Sequence, residues 1–76
     1  MSHGYSLRIC HMNDKADSVN PGVRLGRLCI AQDIPVSVVA KVMGVSRATV
    51  YNWFCGVSAP QANALSRIES YIASLS

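Results

Sequence analysis

Residues 36–56 read VSVVAKVMGVSRATVYNWFCG and contain two short helical patterns joined by a glycine and a serine. In the first pattern, Val39 and Met43 lie one helical turn apart, so they form an inward-facing stripe. Ala40 is small enough for another helix to cross closely at that point. Gly44 follows the last helical residue, where glycine adopts the left-handed backbone of a helix end with little strain. This half of the stretch therefore predicts a short helix that ends in a tight turn.

The second half begins with a serine that can cap a helix. Ser46 has one of the side chains preferred at that position. Val45 before the cap and Val50 inside the helix are spaced as a hydrophobic staple. Two helices joined this closely are held at a steep angle to each other. The stretch as a whole predicts a helix-turn-helix.

The second helix of this stretch has two different faces. At about 100° per residue, one face is apolar and should be buried, and it comprises Val50, Trp53 and Phe54. The other face should be free, and it comprises Ala48, Tyr51, Asn52 and Cys55. Arg47 lies in the first turn, where a cation gains nothing from the helix dipole, so an anionic partner in front of the helix explains it better. We expect that partner to be DNA.

These positions together resemble the helix-turn-helix of the lambda repressor and Cro superfamily of DNA-binding proteins. The resemblance rests on the alanine and glycine of the first helix and turn, on SRATVYNWF at residues 46–54, and on the residues Trp53, Gly56, Pro60, Leu65 and Ile68. It covers about residues 21–72 and implies a small helical regulator from a bacterium or a phage. The segment SRATVYNWF is also similar to DNA-binding parts of recombinases and other bacterial regulators.

The chain departs from the pattern of that superfamily at two positions. Many members carry a glutamine at the start of the first of these helices and an arginine in the helix before it, and both contact the DNA backbone. Val36 and Cys29 stand at the matching positions here. We therefore expect the amides at that helix N-terminus, together with Ser37 and Lys41, to contact phosphates instead.

Length and composition limit the chain to one small domain. With 76 residues it can build a single small core, and its 50% content of apolar residues argues against disorder. No apolar run approaches the roughly 18 residues that a membrane span needs, so we expect no membrane partner. Seven Lys and Arg residues against four Asp and Glu residues give a formal charge of +3, which favours nucleic acid as the partner. The start of the chain lacks the pattern of a secretory signal, so we expect a cytoplasmic protein.

The chain shows no pattern for catalysis or metal binding. Cys10, Cys29 and Cys55 are odd in number and widely spaced, which is typical of reduced thiols. Structural zinc needs four converging ligands, which Cys10 and His11 with His3 in a terminal segment do not supply. No cysteine, histidine and carboxylate pattern suits nucleophilic or acid-base chemistry. We therefore expect neither an enzyme nor a cofactor.

Residues 1–19 lack helical periodicity and are predicted to form a flexible N-terminal arm ahead of a DNA-binding domain at residues 20–76. Within the arm, only residues 5–9 alternate like a short strand. Three roles remain open for it. In the first, the arm follows the DNA backbone through Arg8 and Lys15. In the second, it is a strand exchanged between subunits, and in the third it is a solvated tail.

A further helix is predicted before the central stretch, from residue 20 to about residue 33. Asn20 can cap it and Pro21 suits its first position. Arg24 and Arg27 point outward, either as phosphate contacts or as solvated charges. Gly26 in the helix interior costs up to about 1 kcal/mol relative to alanine, which predicts close packing against a neighbour.

The last predicted helix spans residues 61–75. Its apolar residues follow a heptad-like spacing, and they are Leu65, Ile68, Ile72 and Leu75. We expect this seam to pack across the helix at residues 20–33 and the helix at residues 46–55. Apolar surface beyond what these helices cover, including Tyr71, is expected to meet a second subunit.

The prediction is an all-α protein: a compact bundle of about four helices containing a helix-turn-helix, with an N-terminal arm. Its expected function is sequence-specific binding of double-stranded DNA as a transcriptional regulator, a homodimeric repressor that reads the major groove with the helix at about residues 46–55. Arg47 should pair with guanine and Asn52 with adenine. The residues expected to read bases are Arg47, Ala48, Tyr51 and Asn52. The residues expected to contact the DNA backbone are Ser37, Lys41, Ser46, Thr49, Arg24 and Arg27.

Two alternative functions remain open. In one, the chain binds DNA as an accessory protein of a recombination or packaging machine. In the other, it is a protein-interaction module, such as an antitoxin or a host-factor inhibitor, which presents the last helix or the arm to a protein.

Overall fold

The computed structural model describes residues 5–75, and this part of the chain is all-helical, as predicted. The five helices are α1 Leu7–Lys15, α2 Pro21–Ala31, α3 Val36–Met43, α4 Arg47–Phe54 and α5 Ala62–Leu75. Four of them correspond to predicted helices, and α1 is additional. The described residues form one compact body about 30 × 23 × 21 Å in extent.

The predicted helix ends are confirmed by capping bonds and by the backbone. At the start of α2, the Asn20 side-chain oxygen accepts a hydrogen bond from the Gly22 amide at 2.9 Å. At the start of α4, the Ser46 hydroxyl accepts one from the Thr49 amide at 3.2 Å. Gly44 ends α3 with a φ of 70°, the left-handed conformation that favours glycine. Residues 44–46 thus form a short turn between α3 and α4.

The core lies where α2, α3, α4 and α5 meet. Its fully buried side chains include Leu25 and Cys29 of α2, Val39 of α3, Val50 and Phe54 of α4, and Ile68 of α5. Fully burying one large apolar side chain contributes about 1.5–3 kcal/mol, so these residues provide most of the driving force for folding. The predicted inner face of α4 is confirmed, because Trp53 is also buried.

Two glycines of α2 allow α4 to pack directly on this helix. A Cβ atom at Gly22 would lie 2.7 Å from the Trp53 Cβ. A Cβ atom at Gly26 would lie 2.6 Å from the Asn13 Nδ2 and 2.8 Å from the Phe54 Cγ. Any side chain at either position would therefore push neighbouring elements apart. The close neighbour predicted at Gly26 is confirmed, and it consists of both α4 and α1.

The prediction of a flexible arm at residues 1–19 is wrong for residues 7–15, which form α1. Tyr5, Ile9 and Asn13 lie four residues apart and face inward, with Tyr5 and Asn13 buried and Ile9 half-buried. The strand-like alternation of residues 5–9 was misleading because Leu7, in the middle of it, is 78% exposed. A polar residue, Asn13, stands where a helical pattern calls for an apolar one. Residues 1–4 of the predicted arm lie outside the described residues.

The predicted packing of the last helix is wrong in one respect. α5 packs on α2 and α3 instead of across α2 and α4. Arg67 of α5 donates a hydrogen bond to the Met43 carbonyl at the end of α3, at 3.3 Å. Gln32, after α2, donates one to the Leu75 carbonyl at 2.8 Å. Within residues 5–75, no helix is both long and apolar enough to cross a membrane.

Replacing Gly26 with alanine should destabilise the protein by about 1–3 kcal/mol, because the new Cβ collides with Asn13 and Phe54. Helix propensity alone would give the opposite sign, a gain of up to about 1 kcal/mol. Guanidinium denaturation measures the free energy of unfolding. Ser66→Ala on the exposed side of α5 is the control and should change it by less than about 0.5 kcal/mol. A Gly26→Ala protein as stable as wild type would contradict this packing.

Asn13→Ala should also destabilise the protein, by about 1–3 kcal/mol. The Asn13 Nδ2 donates hydrogen bonds to the Phe54 carbonyl at 2.7 Å and to the Val23 carbonyl at 3.1 Å. The Phe54 carbonyl is at a helix end, where it has no following turn to bond it. The same denaturation experiment with His11→Ala, on the exposed side of α1, should give wild-type stability. Equal stabilities of the two variants would show that α1 is not held by Asn13.

Candidate nucleic-acid interface

The outer face of α4 is accessible, as the helical pattern predicts. Ala48 and Asn52 are exposed, whereas Tyr51 and Cys55 are half-buried. The opposite face is fixed in the core by Val50, Trp53 and Phe54. Ala48 and Cys55, each about one helical turn from Asn52, have short side chains, so the helix is open to close approach at Asn52.

The N-termini of α3 and α4 meet beside this outer face. A shallow depression of about 180 Å³ is lined there by Pro35, Val36, Ser37, Arg47 and Tyr51. The structure thereby brings together three of the predicted site residues from two helices, namely Ser37, Arg47 and Tyr51. Lys41 is one turn further along the same side of α3 as Ser37 and is exposed.

This region favours an anion. Neither α3 nor α4 has an acidic residue in its first turn. The free amides at both helix N-termini carry partial positive charge. Among the described residues, the exposed Arg47 side chain makes no hydrogen bond or ion pair, so its donors are available to an external acceptor. The depression therefore combines helix amides, a hydroxyl and a guanidinium without a neutralising carboxylate in its lining.

Ser46 and Thr49, predicted to contact the DNA backbone, bond to each other. The Ser46 Oγ accepts from the Thr49 amide and lies 3.0 Å from the Thr49 Oγ1. Only one hydroxyl proton is used in the bond between the two oxygens, so the other proton remains for an external acceptor. The cap and a phosphate contact are therefore compatible.

Arg24 and Arg27 lie apart from this cluster. Arg24 lies two residues from Gly22 and from Gly26, the glycines that pack on α4. Two residues correspond to about 200° around the helix, so Arg24 faces away from α4. Its Nη1 lies 3.8 Å from the Glu69 Oε1 on α5. Arg27 donates hydrogen bonds to the carbonyls of residues 14 and 16, at 3.3 and 3.0 Å, which secures the end of α1. The structure thus gives both arginines partners within the protein.

Tyr5 is a supporting residue that the sequence pattern did not reveal. Its hydroxyl donates a hydrogen bond to the Ile34 carbonyl, just before α3. Its ring stacks on Phe54 of α4, with the ring centroids 6.2 Å apart. Burial raises the pKa of Tyr5 well above its usual range, and the nearby Cys29 and Tyr51 add to this effect. The four-residue spacing of Tyr5, Ile9 and Asn13 was the signal that all three face inward, although Tyr5 itself lies just before the Ser6 cap of α1.

The cysteines are all free thiols, and none lies in the depression. Burial raises the pKa of Cys29 to about 12, so this core thiol stays protonated near neutral pH. Within residues 5–75, no group of three His, Cys, Asp or Glu side chains is placed to hold a metal ion.

Comparisons with protein-family models, with curated proteins and with solved structures find no match to this chain.

The buried Cys29 thiol should make stability depend on pH above about 8. Its folded-state pKa of about 12 is higher than the unfolded value near 8.5. The protonated thiol therefore contributes to the free energy of unfolding in full below pH 8, and this contribution is lost as the pH rises toward 12. From pH 8 to pH 9.5 this loss amounts to about 1 kcal/mol. Guanidinium denaturation at both pH values should show the loss in wild type and a smaller loss in Cys29→Ala.

A matched control for this experiment is Val39→Ala, which shortens another fully buried side chain and retains the thiol. Its free energy of unfolding should fall with pH as steeply as that of wild type. If Cys29→Ala had the same pH dependence as these two proteins, another group would have to account for it.

Proposed function

We propose that this chain binds double-stranded DNA at specific sequences and regulates transcription, with α3, the turn at residues 44–46 and α4 acting as a helix-turn-helix. One observation carries the proposal: the accessible face of α4 lies beside a depression where two helix N-termini, Ser37 and Arg47 meet without an acidic residue in the lining. An α-helix fits the major groove, and helix N-termini bind phosphate.

In this proposal the outer face of α4 reads the bases. The Arg47 guanidinium donates two hydrogen bonds to a guanine, and the exposed Asn52 amide pairs with an adenine. Ala48 is small and exposed, so it allows the helix to enter the groove and can contact a thymine methyl group. Tyr51, half-buried at the edge of the depression, contacts a phosphate or a base.

The backbone contacts are distributed around α4. Ser37, Lys41 and the first amides of α3 bind phosphates on one side, which compensates for the valine at residue 36 where a glutamine would be expected. Ser46 and Thr49 add the hydroxyl proton that their mutual bond leaves free. Few cations take part, so the affinity of a single copy should be modest. This supports a homodimer in which two copies of α4 enter successive major grooves about 34 Å apart, and which acts as a repressor.

DNA selection followed by binding measurements tests the proposal. A preferred duplex is first selected from a random-sequence library, and its affinity is then measured by fluorescence anisotropy. Arg47→Ala and Asn52→Ala should each weaken binding by about 1–3 kcal/mol and relax the preference at one base pair. The reason is that each substitution removes one paired set of donors or acceptors from the base-reading face.

Arg24→Ala is the matched control, because it removes the same charge as Arg47→Ala from the side of α2 that faces away from α4. It should leave base preference unchanged and weaken binding to all duplexes equally, if at all. Selection that yields no preferred sequence would overturn the proposal. So would wild-type preference in both Arg47→Ala and Asn52→Ala.

A further inference from the structure

The packing of α5 leaves a groove beside α4. Because α5 packs on α2 and α3, its first turns stand away from α4, and the space between them is not filled. The resulting groove has a volume of about 440 Å³. This volume lies in the range of pockets that hold small organic molecules. The groove is on the opposite flank of α4 from the depression at Arg47 and Tyr51.

The lining of the groove contains both apolar and polar side chains. Val45 and the small exposed parts of Met43 and Trp53 provide apolar surface, while Thr49 and Asn63 provide hydrogen-bonding groups. Such a mixture holds the apolar body of a ligand and orients its polar end. A ligand that was polar throughout would leave the apolar part of the lining without a matching contact.

Arg67 is the charged residue of the groove. All residues that line the groove belong to the described part of the chain, and none of them is acidic. One Arg67 nitrogen, Nη1, donates to the Met43 carbonyl at 3.3 Å, which holds the guanidinium at the groove wall. A guanidinium has five N–H donors, so most of them remain free for a ligand. A carboxylate matches their planar fork in both charge and geometry.

We propose that this groove binds a small organic carboxylate, with the carboxylate paired to Arg67 and the apolar body lying against Trp53 and Val45. The ligand contacts α4 and α5 at once, so it bridges two helices that otherwise have little contact. Its binding does not depend on the proposed DNA binding, and the two proposals can fail separately.

The single tryptophan of the chain lines the groove and reports on its occupation. Cyclohexanecarboxylate serves as the probe and cyclohexanecarboxamide as its uncharged counterpart, and neither absorbs where tryptophan is excited. Trp53 fluorescence is followed during titration of the full chain at constant ionic strength. We expect saturable binding of the carboxylate. The amide should bind at least about tenfold more weakly, because a charge-assisted bond is lost.

Two groove variants and one control test the location of the site. Arg67→Gln should weaken carboxylate binding about tenfold or more. The variant should then bind the carboxylate and the amide with equal affinity. Ala59→Leu adds bulk to an exposed position in the groove lining and should abolish binding without disturbing the core. Arg24→Gln removes the same charge outside the groove and should keep the wild-type affinity within about twofold. Circular dichroism confirms that each variant is folded.

Three results would overturn the proposal. The first is the absence of saturable binding to the wild-type chain, and the second is undiminished binding to folded Arg67→Gln or Ala59→Leu. The third is binding of inorganic phosphate as tight as that of cyclohexanecarboxylate, because the apolar part of the lining would then contribute nothing to affinity. In that case the groove would be a simple anion contact.

Discussion

The fold depends on the close approach of α4 to α2 at Gly22 and Gly26. No Cβ atom fits at either glycine, because Trp53 and Phe54 occupy that space. Since the apolar face of α4 is fixed in this way, its outer face, which includes Ala48 and Asn52, is necessarily turned away from the core. A side chain at either glycine would lift α4 and change the angle at which this face is presented. The proposed DNA-reading surface therefore rests on two residues that would not themselves touch DNA.

The first helix and the residue just before its cap complete this arrangement by bonding backbone at the end of α4 and just before α3. The Asn13 amide bonds the last carbonyl of α4, at Phe54, while the Tyr5 hydroxyl bonds the Ile34 carbonyl just before α3. The body thus extends beyond the four helices that the sequence pattern predicts. The Asn13 contacts are buried, so they are stronger than the same bonds would be in water and costly to leave unmade.

Most of the fold, and part of the site, could be predicted because local chemistry determines them. The caps at Asn20 and Ser46 and the left-handed Gly44 are short-range features that can be recognised in the sequence. α1 was missed because its buried residue Asn13 is polar and does not add to an apolar helical pattern. The Asn13 amide stabilises the helix only through carbonyls that the fold brings near. The position of α5 was wrong for a related reason, since a heptad-like seam shows that a helix packs but not on which neighbours. The groove lined by Thr49 and Arg67 follows from that packing.

In the proposed function, α4 and the start of α3 form the surface that meets DNA. The most direct test is a nuclear magnetic resonance titration of the ¹⁵N-labelled chain with its selected duplex, which maps the affected amides independently of any substitution. The largest shifts should cluster at residues 36–37 and 46–52, and the exposed sides of α1 and α5 should change little. Shifts concentrated on α1 or on the outer side of α5, with residues 46–52 unchanged, would contradict it.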